Sequence, residues 1–73
     1  AENVKIIPNP ASTQINISTS LPINNVVLKN SLGQTVMTSS QTYIDVANLS
    51  AGIYMVIIET HQGTISKPVI IVR

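Results

Sequence analysis

The chain contains no cysteine, no tryptophan and no phenylalanine. Without cysteine it can form neither a disulfide nor a thiolate metal site, so strand pairing and packing alone must hold it together. Tyr43 and Tyr54 are the only aromatic residues, which leaves Ile, Val and Leu to fill the core. Charge is scarce: four basic and three acidic residues give a net charge of +1. Lys5, Lys29, Lys67 and Arg73 are scattered, and scattered single cations leave no electrostatic footprint for nucleic acid. No apolar run approaches the roughly 20 residues of a membrane-spanning helix. No segment sustains apolar residues at helical spacing. The opening Ala1-Glu2-Asn3-Val4-Lys5 carries neither an initiating Met nor the regions of a signal peptide, so we expect a fragment or processed product of a longer protein.

What is present favours strands. The sequence is rich in Ile, Val, Asn, Ser and Thr and poor in Ala, Glu and Lys. At 73 residues it reads as one domain spanning 1–73, burying only about 60% of its unfolded surface. Short apolar strands are expected over 4–7, 14–18, 26–29, 34–38, 42–46, 53–60 and 64–72. Ile15, Ile17, Val26, Leu28, Val36, Tyr54, Val56 and Ile58 should face inward, with residues 21–25 as a connection. Pro8-Asn9-Pro10-Ala11 removes two ladder donors and should stop the first strand and protect a sheet edge. Asn30 to Gly33 and His61 to Gly63 read as hairpin turns with glycine in the left-handed region. Pro68 places the last strand at an edge or kinks it. About seven strands with turn signals every 8–12 residues or so indicate an all-β fold, a small immunoglobulin-like antiparallel sandwich.

One stretch organises the rest. In Asp45 to Ile58, Leu49, Gly52 and Tyr54 stand at the Leu-x-x-Gly-x-Tyr spacing of a tyrosine corner. In that device a tyrosine at the start of a strand turns its hydroxyl back onto the preceding crossover. The motif builds a sandwich and performs no chemistry.

The catalytic inventory is thin. His61 sits in a turn, and Glu2, Asp45 and Glu59 are the only carboxylates. A triad of His61, Asp45 and a serine is arithmetically available, but no spacing supports it. One His and three separated carboxylates make a poor metal site, and Asp45 with Asn48 is a weak calcium pair. We therefore expect no catalytic residue, no cofactor and no metal. The sequons at Asn16 and Asn48 are expected by chance in so Asn- and Ser-rich a chain and read as unmodified. Apolarity on both faces of 53–58 and 69–72 is unusual for an antiparallel sandwich strand. It leaves Met55, Ile57, Ile70 and Val72 as an apolar partner face, available for self-association or covered by a neighbour. The final strand also offers an edge for strand addition.

The motifs together resemble a known family. Ile7-Pro8-Asn9-Pro10-Ala11 resembles the opening of the C-terminal sorting domain of the type IX secretion system, in its type A form. Val26 to Val36, with its Leu32-Gly33-Gln34 turn, resembles the second motif of that family. Ile44 to Val56 resembles the third, and Gly63 to Arg73, with Lys67 and a Val/Ile run, the ending. The resemblance covers nearly the whole chain, in order. Two departures stand out: the family often carries Lys or Arg where Ile57 stands, and its final strand is more basic.

The resemblance implies a sorting signal at the C-terminus of a larger secreted protein of Bacteroidetes-type bacteria, with no enzymatic activity of its own. The cargo would cross the periplasm, and the outer-membrane type IX translocon would recognise the domain. A sortase-like cysteine protease would then remove it and attach the cargo to the cell surface. Pro8, Asn9, Pro10, Gly33, Asn48, Leu49, Gly52, Tyr54 and Lys67 occupy the family motifs and are its recognition or structural residues. The alternative is a generic immunoglobulin-like adhesion or accessory domain of an extracellular enzyme.

Overall fold

The computed structural model describes residues 4–73, and Glu2 lies outside them. Seven strands form: β1 (Lys5–Ile7), β2 (Gln14–Ser18), β3 (Ile23–Lys29), β4 (Thr35–Ser39), β5 (Tyr43–Asp45), β6 (Gly52–Thr60) and β7 (Gly63–Ile71). β1, β2 and β5 make a three-stranded sheet in the order β1-β2-β5, and the others a four-stranded sheet in the order β4-β3-β6-β7. All strand pairs are antiparallel. The division is that of an immunoglobulin-like sandwich, in which first, second and fifth strands face third, sixth and seventh.

Alternation explains why these segments become strands. Ile15 and Ile17 of β2 are buried while Asn16 and Ser18 are exposed. Val26 and Leu28 of β3 meet Ile58 and Val56 of β6 as direct cross-strand partners, and all four are fully buried. Ile6, Ile15, Ile17, Ile44 and Val46 supply the opposing layer, and Tyr54, Val69 and Ile71 complete the core. As the composition required, Tyr54 is the only aromatic side chain in it.

The β3–β4 hairpin differs from expectation at one residue. Leu28 pairs with Met37 but Lys29 pairs with Thr35, so Val36 is an extra residue in a bulge. Opposed residues share a face, so Met37 packs against the core and Val36 is left 37% exposed, not inward as its alternation suggested. β3 also begins earlier, at Ile23, within the segment expected to be a connection.

β7 runs unbroken through Pro68. The N–H groups of Ile70 and Val72 point away from β6, towards the 9–11 segment. Pro68 has the same parity, so its missing donor removes no rung of the β6–β7 ladder.

Candidate functional site

The N-terminal Pro-Asn-Pro segment and the last strand meet in a seam. The Ala11 N–H donates to the Ile70 carbonyl at 2.8 Å, and the Val72 N–H donates to the Ala11 carbonyl at 2.8 Å. This is a parallel bridge between residues 11 and 71. Asn9 extends it with its side chain. Its Oδ1 accepts the Ile70 N–H at 3.0 Å, and its Nδ2 donates to the Pro68 carbonyl at 3.3 Å. An amide side chain offers one donor group and one acceptor, as a peptide unit does, so Asn9 stands in for a strand residue. Pro8 and Pro10 flank it, exposed, each after a cis peptide bond. The edge expected to be open at the end of the last strand is thus occupied at residues 68–72 by residues 9–11.

The crossover from β5 to β6 is the second part of the site. The Tyr54 hydroxyl donates to the Ser50 carbonyl at 2.7 Å, which closes the tyrosine corner, while its ring is buried. Leu49 packs on the core from above the corner. Gly52 has φ of +155°, a backbone conformation that side-chain-bearing residues rarely adopt. Asp45 Oδ1 accepts the Ala47 N–H at 2.9 Å, fixing the start of the crossover. Asn48 is exposed at its crest.

Arg73 joins the two parts. Its Nη2 donates to the carbonyls of Val46 at 2.8 Å and Ala47 at 3.0 Å, and its Nε donates to Leu49 at 3.0 Å. Nη1 reaches the Ser12 carbonyl, just beyond the seam. One rigid guanidinium fork therefore satisfies four crossover and seam residues at once, a task a lysine's compact ammonium cannot match. The sequence offered no signal for this: Arg73 reads there as one cation after an apolar run.

Asn9, Leu49, Gly52 and Tyr54 are brought together through this network. Gly33 and Lys67 belong elsewhere. Gly33, at φ +81°, closes the β3–β4 turn, where Asn30 Oδ1 accepts the N–H groups of Leu32 and Gln34, each at 3.0 Å. That turn walls a groove of about 280 Å³ whose floor is Ile53, Met55 and Ile57 on the outer face of β6. Lys67 is exposed on β7 opposite Val56. Of the residues named from the sequence as an apolar face, Met55 is 38% exposed and Ile70 43%, and Ile53 beside them is 61% exposed. Ile57 is half-buried and Val72 is exposed beyond the end of β7.

The family model of the secretion system C-terminal sorting domain matches residues 5–72. The chain belongs to this family. Like other members, this sorting domain is a C-terminal signal for type IX secretion, and it interacts with the machinery of that system. Its cargo is secreted or displayed at the cell surface. The accessory-domain alternative is not favoured. A sorting-signal domain is not itself catalytic. The search of curated proteins found no match.

Proposed function

We propose that the folded domain is recognised as a unit by outer-membrane components of the type IX translocon after its cargo has crossed the periplasm. A sortase-like cysteine protease then removes it and the cargo is attached to the cell surface. In this reading residues 1–73 form a single domain ending a larger secreted protein. Of the nine motif residues, Leu49, Gly52 and Tyr54 act by shaping the crossover, and Asn9 by holding the seam. Exposed Pro8, Pro10, Asn48 and Lys67 are the motif side chains available to a receptor, with Gly33 shaping the β3–β4 turn. The observation that carries this is the continuity of the family match from 5 to 72, which includes both halves of the seam.

The test is a fusion of these 73 residues to the C-terminus of a signal-peptide-bearing reporter in a bacterium with this secretion system. The reporter is expected at the cell surface, and removal of residues 64–73 is expected to abolish its arrival. A reporter held in the periplasm by the intact domain would overturn the reading.

A further inference from the structure

The motif network lies at the seam and crossover, yet Ile53, Met55 and Ile70 are exposed on the outer face of the four-stranded sheet. There Ile53 pairs across the ladder with Ile70, and Met55 with Pro68, so the groove floor continues as an apolar strip towards β7. Patches of this kind mark partner surfaces. At about 280 Å³ the groove falls just below the roughly 300–1,000 Å³ of small-molecule sites. It suits a side chain of a polypeptide better than a cofactor.

Charge selects among polypeptides. Among the described residues, Lys29 at the rim is the only charged one lining the groove, and no carboxylate lines it. Lys29 is half-buried and lies directly across the ladder from Met55. A cation beside an apolar floor is less screened than one in open water, so it favours an anionic group on the occupant. A second copy of the chain is a poor occupant. A two-fold interface is self-complementary, and centring one on Met55 and Lys29 sets Lys29 against Lys29.

We propose that this groove docks an extended peptide segment of the secretion machinery in which an apolar side chain stands beside an Asp or Glu. The apolar side chain fills the groove over Ile53 and Met55, and the carboxylate pairs with Lys29. This rests on the sorting-signal reading and adds to it a surface separate from the seam.

The test uses the same reporter fusion with four variants, each checked for folding by its thermal melt. Lys29→Glu is expected to lower surface arrival by about tenfold or more through like-charge repulsion, and Lys29→Arg to preserve it. Met55→Ser is expected to lower it as well. Asn16→Glu, on the exposed face of the other sheet, introduces the same charge and is expected to change little. Failure of the unaltered fusion to reach the surface would remove the sorting reading and this proposal with it. Normal surface arrival of a folded Lys29→Glu variant would overturn the groove alone. So would an equal loss with Asn16→Glu, or a dimer of the parent chain in sedimentation that Met55→Ser dissociates.

Discussion

Tyr54 and Arg73 do the same work from opposite sides. Both supply donors to carbonyls of a crossover that has no ladder to pair with, the hydroxyl to Ser50 and the guanidinium to Val46, Ala47 and Leu49. Tyr54→Phe keeps the ring and deletes one bond, so a loss of about 1 kcal/mol is expected in denaturant unfolding. No loss would mean that the corner contributes nothing. Arg73→Lys keeps the charge but loses the planar fork. A loss of about 1–2 kcal/mol is expected, with Arg73→Ala no more than slightly worse. If lysine restored full stability, the charge and not the geometry would be what matters. The corner was legible in the sequence because Leu49, Gly52 and Tyr54 lie within six consecutive residues and their spacing is itself the motif. Arg73 was not, because its partners lie 24 to 61 residues earlier and no local pattern encodes them.

At the scale of elements, the same divide separates strands from edges. Alternation placed the inward residues of β2, β3 and β6, as Ile15, Val26, Leu28, Val56 and Ile58 illustrate. It misplaced Val36, because a bulge changes which residue faces inward and the extra residue shows only in the pairing register. It also could not show what covers the end of β7. The seam there depends on Asn9 donating and accepting at once. Asn9→Asp retains the acceptor towards Ile70 and removes the donor towards Pro68, setting a carboxylate against a carbonyl. A loss of about 1 kcal/mol is expected, and amide exchange should rise at Ile70 and Val72. Unchanged protection at both amides would show that the edge is held by Ala11 without Asn9. The apolar outer face of β6 was legible from the alternation of 53–58; the groove was not, because its wall is the Asn30 turn.

The whole molecule is small and carries no covalent staple. A domain of this length has about 4–11 kcal/mol of stability at ordinary per-residue values. Ile58 is fully buried and faces Val26 across the ladder. Ile58→Ala is expected to cost about 2–5 kcal/mol and lower the melting temperature by at least about 10 °C. A smaller shift would mean that the two sheets can close over the cavity. Deleting residues 70–73 removes Ile71 from the core, the bridge to Ala11 and all of the Arg73 bonds. The shortened chain is expected to be unfolded by circular dichroism, although six strands remain in its sequence. A native-like spectrum would show that the seam is dispensable.

The bridge between Ala11 and Ile71 has a consequence in time as well as in space. Three of the five strand pairings are hairpins between consecutive strands, and such contacts can form as a chain lengthens. The seam cannot, because it needs two residues separated by nearly the entire domain, and contacts of that span form late. A chain from which residues 70–73 are missing cannot make the seam, whatever has been made before it. The closed form therefore requires residues near both ends of the domain to be present together.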